Sequence, residues 1–197
     1  MMKQHPHNRV NGDTQAGFTL IETLVAVAVL IVSLVGPMAL VQRSLNSAAY
    51  TREQITAFFL GQDAMELLTN IRDNDTKNGT AGFAYARTNC GGTYGCIMDT
   101  TVAPAATPAN AISRCTSACP PMRKDSTGSF YGYNSSWGVS EYTRTIRVTQ
   151  PNGNLDENLI EVILTWDVPS GAKTMTVSRI MYDFNAAKAK REAELES

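Results

Sequence analysis

Apolar positions in this chain follow two patterns, one continuous near the start and one alternating near the end. The continuous one is GFTLIETLVAVAVLIVSLVGPMALV, Gly17 to Val41, in which the eighteen residues from Leu24 onward carry no charge. Only Ser33, Gly36 and Pro37 interrupt its aliphatic character. Counted from Phe18 it has twenty-four residues, and at about 1.5 Å of rise each these cross a hydrocarbon core of about 30 Å as one helix. Pro37 withholds an amide hydrogen and crowds the preceding turn, so a kink or local unwinding is expected there. Helical character continues past Val41: Gln42 to Arg72 has no Pro, a single Gly at Gly61 and good helix formers throughout. On that helix Ile55, Phe58 and Phe59 share one side, while Leu60, Ala64, Leu67 and Ile71 fall nearly opposite, with Arg52, Thr56 and Asp63 between. Two apolar stripes need two covers, either the chain's own sheet plus a neighbouring subunit or a domain that encloses the helix. Asn74, Asp75, Asn78 and Gly79 form the expected stop.

The alternating pattern comes late. Tyr142 to Thr149 sets Tyr142, Arg144, Ile146 and Val148 against Thr143, Thr145, Arg147 and Thr149, as a half-exposed strand does. Leu159 to Trp166 places Ile160, Val162, Leu164 and Trp166 on one face and Leu159 and Ile163 on the other, the richest strand and the expected central one. A third strand alternates Met175, Val177, Arg179 and Met181 with Thr176, Ser178, Ile180 and Tyr182. Turns around Pro151–Asn154 and Pro169–Gly171 are short enough to join the three as an antiparallel meander. The predicted fold class is α+β: a long N-terminal helix packed on a C-terminal antiparallel sheet of three to four strands. Residues 73 to 140, rich in Gly, Thr, Ala, Pro and Ser, read as connector, with Thr100–Ala111 exposed. The aromatics Phe130, Tyr131, Tyr133 and Trp137 within it are consistent with a recognition surface, and more commonly with packing for an irregular loop. The tail AAKAKREAELES has no apolar face and reads as a solvated helix.

Composition narrows the functional classes. With 197 residues, 43% hydrophobic content and a formal charge of −1, the chain suits one globular domain plus a membrane helix. No basic patch of the kind that nucleic acid requires is present. His5 and His7 are the only histidines and both precede Gly17, so a chain cut there has no imidazole for a triad, a general base or a metal site. GxSxG, Walker, HExxH and GxGxxG motifs are absent. The expectation is no enzyme, no cofactor and no metal. The turn Asn154, Asp156, Glu157, Asn158 lacks the twelve-residue calcium-loop pattern and reads as solvated. Cys90, Cys96, Cys115 and Cys119 are expected to form two disulfides rather than a four-thiolate zinc site, chiefly because an even count suits a domain placed outside the membrane, and secondarily because only the second pair has the usual knuckle spacing. Three pairings remain open, of which Cys90 with Cys96 and Cys115 with Cys119 requires the least chain closure.

Glu22 is the anomaly in the apolar run. A carboxylate in hydrocarbon costs a few kcal/mol even on lenient scales, so it calls for a partner. No Lys or Arg lies within helical reach, since Arg9 precedes Gly17 and Arg43 is about six turns away. Gly17 followed by Phe18, Thr19, Leu20, Ile21 and Glu22, behind a short polar leader and ahead of about twenty apolar residues, resembles the cleavage and methylation signature of type IV prepilins and pseudopilins. The likeness in residues covers about the first seventy positions; beyond them it is one of layout, long helix first and antiparallel sheet last.

That resemblance implies a membrane aspartyl peptidase that cuts after Gly17 and methylates the new amine of Phe18. It also supplies the missing partner, because Glu22 of one subunit would neutralise the Phe18 amine of its neighbour. Removing Lys3, Arg9 and Asp13 with the leader takes the 17 basic and 18 acidic residues to 15 and 17, a net charge of −2. The implied layout is a leader over 1–17, a helix over 18–72 that spans the membrane at 18–41, and a head over 73–197. The implied partners are other pilin subunits, the prepilin peptidase, an inner-membrane assembly platform and membrane lipid. The chain would sit in the cytoplasmic membrane with its head outside, then in a pilus or pseudopilus, and its Cys-stapled head leans toward a minor subunit. Another class stays open: Ser47, Ala48 and Ala49 offer small residues for ordinary signal peptidase, which would free a secreted binding domain at Tyr50.

Overall fold

The computed structural model describes residues 17, 19–80, 82–102, 108–151, 153, 156–168 and 171–195. Residues 1–16 of the expected leader, Phe18 as the expected site of methylation, the centre of the Thr100–Ala111 piece and parts of both late turns lie outside the described residues. Backbone proximity divides the chain into two units, Met1–Ala49 and Tyr50–Ser197. A helix, α1 (Leu20–Asn78), contributes to both.

In the first unit α1 runs as regular helix through Gly36 and Pro37. Of the kink or local unwinding expected at Pro37, unwinding is absent, since helix continues on both sides of the one hydrogen bond that proline cannot donate. Its side chains from Leu20 to Ala49 are all exposed.

In the second unit α1 continues to Asn78, and Gly79 ends it at a φ of +67°, the left-handed cap conformation that glycine adopts without penalty. Next come α2 (Gly82–Cys90), β1 (Cys96–Met98), α3 (Pro108–Ala111), β2 (Ile112–Arg114), β3 (Arg123–Lys124), β4 (Tyr131–Gly132), β5 (Gly138–Val139), β6 (Tyr142–Thr149), β7 (Glu157–Val168), β8 (Gly171–Tyr182) and α4 (Phe184–Leu195). The fold is α+β and pilin-like, a long N-terminal helix against antiparallel sheet. The main sheet has the order β2-β1-β6-β7-β8, and β4-β3-β5 form a small second sheet. Tyr142 pairs with Trp166 and Val162 with Val177, which gives the antiparallel meander read from the short turns.

Two expectations need correction. The strand at Leu159–Trp166 is not central: the β1–β2 hairpin adds to the far side of β6, so β6 is the middle strand and β7 lies next to the edge. The connector at 73–140 also holds α2 and five short strands. Strands of two or three residues are too short for alternation to register.

The core lies between the second half of α1 and the inner face of the sheet. From α1 it takes Ala57, Leu60, Ala64, Met65 and Leu68, and from the strands Ile146, Val148, Ile160, Val162, Leu164 and Met181. The residues named for the inner faces of β6 and β7 are those buried, in strict alternation. Contact is closest at Gly61, where an added Cβ would come within 3.0 Å of Val177 Cγ2 and 3.4 Å of Leu164 Cδ2. The second stripe of α1 is uncovered, with Ile55, Phe58 and Phe59 all exposed.

Two disulfides, Cys90–Cys96 and Cys115–Cys119, staple the middle of the chain. The first ties the end of α2 to the start of β1 across a six-residue separation. A loop that short contributes about 2 kcal/mol by restricting the unfolded chain. Gly95 makes its turn possible, with a φ of +70° and no room for a Cβ against the Ile146 carbonyl. Asp75 ties α1 to the start of α2 by accepting hydrogen bonds from Thr80 Oγ1 and the Phe83 amide. Asp183 caps α4 through the amides of Asn185 and Ala186 and pairs with Arg87 at 3.2 Å.

Tyr142 is the most constrained phenol of the core. Its hydroxyl donates to the Glu53 carbonyl at 3.2 Å, and its ring meets Tyr131 edge-on at 5.8 Å. Burial pushes its pKa up from 10.0 to about 12, Glu141 adds to the rise, and a hydrogen bond with Thr56 opposes it. A raised folded pKa means that the neutral phenol stabilises the fold fully below pH 10.0 and that this contribution is lost as the pH climbs toward about 12. The near-ultraviolet absorbance titration of the chain minus that of Tyr142→Phe is therefore expected to have its midpoint near 12. A midpoint at the ordinary tyrosine value contradicts the packing described.

Candidate functional site

The segment singled out by sequence begins at Gly17, whose surroundings are open, with no atom within 4 Å of an added Cβ. Thr19 starts α1 as its cap. The Thr19 carbonyl accepts from the amides of Glu22 at 3.0 Å and Thr23 at 3.2 Å, and its hydroxyl accepts from the Glu22 amide at 3.4 Å. Thr19-Leu20-Ile21-Glu22 has the residue spacing of a capping box, of which the Thr19 hydroxyl to Glu22 amide contact is formed, with Glu22 in the first helical turn. There the carboxylate faces the positive end of the helix dipole, a favourable place worth about 0.3–1 kcal/mol. This local role could have been read from the Thr-x-x-Glu spacing and was missed by weighing Glu22 only as a charge in a membrane.

Capping does not discharge Glu22. The ion pairs among the described residues join Arg72 to Asp73, Arg87 to Asp183, Arg144 to Asp63 and Lys188 to Glu192, and none includes Glu22. Behind it Leu24, Val25, Val27, Val29, Leu30, Ile31, Val32, Leu34 and Val35 are each more than half exposed. Among the described residues α1 is the one helix long and apolar enough to cross a membrane. A helix that is apolar all round is buried by lipid or by other helices, so this surface is built to be covered.

The head contributes a charged feature that sequence analysis did not single out. Arg144, at an inward position of β6, is fully buried. One guanidinium nitrogen donates to the Leu60 carbonyl at 2.8 Å and meets Asp63 Oδ2 at 3.3 Å, while the other donates to the Met98 carbonyl. A single arginine so links α1, β6 and β1. Its signal was present, since Arg144 shares a strand face with Tyr142, Ile146 and Val148, where any charge must be compensated. The four cysteines form two local disulfide loops in the head, Cys90 with Cys96 and Cys115 with Cys119. Among the described residues no cluster of His, Cys, Asp and Glu fit to hold a metal is found.

Residues 13–36 match the family model of the prokaryotic N-terminal methylation motif, the signature of type IV prepilins and pseudopilins. The match covers Gly17, Phe18, Glu22 and the apolar run as far as Gly36. Comparison with curated proteins and with solved structures gives no match.

Proposed function

We propose that this chain is a structural subunit, a minor pilin or pseudopilin, of a type IV pilus or a related type II secretion or competence filament. The observation that carries the reading is the methylation motif over 13–36 joined to an uncovered apolar helix. Prepilin peptidase removes the leader after Gly17 and methylates the Phe18 amine. The apolar helix first anchors the subunit in the cytoplasmic membrane, with the head outside and lipid around the span. It then leaves lipid at the assembly platform and bundles with the helices of other subunits. Glu22 pairs with the Phe18 amine of a neighbour, which neutralises two charges that neither lipid nor the bundle interior would solvate. The function is assembly, with no catalysis and no cofactor.

An epitope placed on α4, which has no buried residue, tests this. In the native host the tagged chain is expected in the membrane and in the filament fraction recovered from overproduced pili or pseudopili. Recovery solely as a soluble domain in the medium contradicts it. One observation favours a second reading, because the compact unit that begins at Tyr50 starts where ordinary signal peptidase would cut after Ala49. A released domain then requires a mature terminus at Tyr50.

A further inference from the structure

A cleft of about 640 Å³ opens in the head where α1 passes the loops of the small sheet, within the range of about 300–1,000 Å³ usual for small-molecule sites. Phe59, Phe130, Tyr131 and Trp137 supply four aromatic walls. The aromatic cluster of the sequence is here divided by role. Tyr131 and Tyr133 pack on the core, while Phe130 stays 61% exposed and Phe59 from α1 stands 61% exposed beside the same space.

The polar lining is rich in acceptors. Asp63 presents a half-exposed carboxylate, and Thr56, Thr100, Thr101 and Ser129 present hydroxyls. Thr56 is engaged by the Arg52 carbonyl and by Tyr142, whereas Thr101 gives its hydrogen to Asp99 Oδ1 at 2.6 Å, so the Thr101 oxygen is left to accept.

This lining selects among ligand chemistries. No described residue that lines the cleft is basic, so a phosphate or carboxylate ligand has no lining side chain to give it a charge-assisted bond and meets the Asp63 carboxylate instead. A cationic ligand meets Asp63 already engaged by the buried Arg144 at 3.3 Å and is repelled by that guanidinium. A purely apolar occupant would strip water from Asp63 and the lining hydroxyls and return no hydrogen bond. What remains is a neutral ligand with many hydroxyl donors and flat faces of C–H bonds to lay on aromatic rings. We infer that the cleft binds a neutral oligosaccharide. The inference does not rest on the filament reading, since every lining residue belongs to the Tyr50–Ser197 unit.

The test uses the full chain in lipid nanodiscs, free of glycosidic detergents, titrated with maltotriose, cellotriose and chitotriose. Trp137 lines the cleft and Trp166 is buried, so tryptophan fluorescence reports occupancy at Trp137. At least one trisaccharide is expected to give a saturable change. Phe130→Ala is expected to weaken that binding by about fivefold or more and to leave the melting midpoint in place, because the ring is exposed. Thr101→Val, which removes one acceptor, is expected to weaken it as well. The inference is overturned by the absence of a saturable response to all three sugars, by unchanged affinity in Phe130→Ala, or by a response to a proline-rich peptide in place of the sugars. A signal that depends on protein concentration alone and vanishes in Phe130→Ala would assign the cleft to a second copy, and would also overturn it.

Discussion

Arg144→Ala is expected to lower the stability of the head by about 3–5 kcal/mol, or roughly 10 °C in melting midpoint for a domain of this size. Three effects add. The guanidinium hydrogen bonds to the Leu60 and Met98 carbonyls are lost, and charge-assisted bonds of this kind contribute about 1.5–3 kcal/mol each. The largest fully buried side chain of the head is replaced by a methyl group, which leaves a cavity where α1, β1 and β6 meet. Asp63 loses its partner, although at 48% side-chain exposure it regains water and adds little. Arg144→Met fills most of the volume and is expected to recover part of the loss. Thermal and denaturant unfolding of the two variants decides the matter, and an Ala variant within about 1 kcal/mol of wild type contradicts the role given to this residue.

Glu22→Ala is expected to leave leader removal intact and to reduce incorporation into filaments by at least tenfold, the factor that about 1.4 kcal/mol of lost pairing sets. Glu22→Gln separates the two roles of the side chain. Glutamine serves a capping box as well as glutamate does, so a purely local function predicts normal assembly in Glu22→Gln. Charge pairing with the Phe18 amine predicts that Gln fails as Ala does. Quantitative immunoblots of the processed chain in membrane and filament fractions distinguish these outcomes. Equal incorporation of both variants with wild type removes the charge pair from the account.

How far the sequence reveals these features depends on how far each signal reaches along the chain. Strands β6, β7 and β8 and the long helix were legible because 8 to 59 residues repeat one period. The small sheet β4-β3-β5 was not, since strands of two residues have no period. What holds them is local hydrogen bonding: Asp125 accepts from the amides of Ser129 and Phe130 and from the Thr127 hydroxyl, which holds its carboxyl below the usual range. The rank of β7 in the sheet was hidden because the β1–β2 hairpin joins β6 across a long gap in sequence.

The site divides in the same way. Gly17, Phe18 and Glu22 are contiguous, so their pattern is visible without a fold, and the motif match rests on that contiguity. Arg144 with Asp63, and Phe59 with Phe130, come from elements about seventy to eighty positions apart. Only packing makes them neighbours. The two stripes on α1 were seen, and the structure decides between them: Leu60 and Ala64 are buried, Leu67 and Ile71 are partly buried against the core, Leu68 joins them without having been named, and Ile55, Phe58 and Phe59 stay exposed.

The measurement closest to the central claim is the mature N-terminus of the chain isolated from its native membrane, read by intact-mass and terminal-peptide mass spectrometry. The account predicts a chain that begins at N-methylated Phe18, one residue past Gly17, and keeps the whole apolar helix. A chain that begins at Tyr50, with that helix gone, would contradict it.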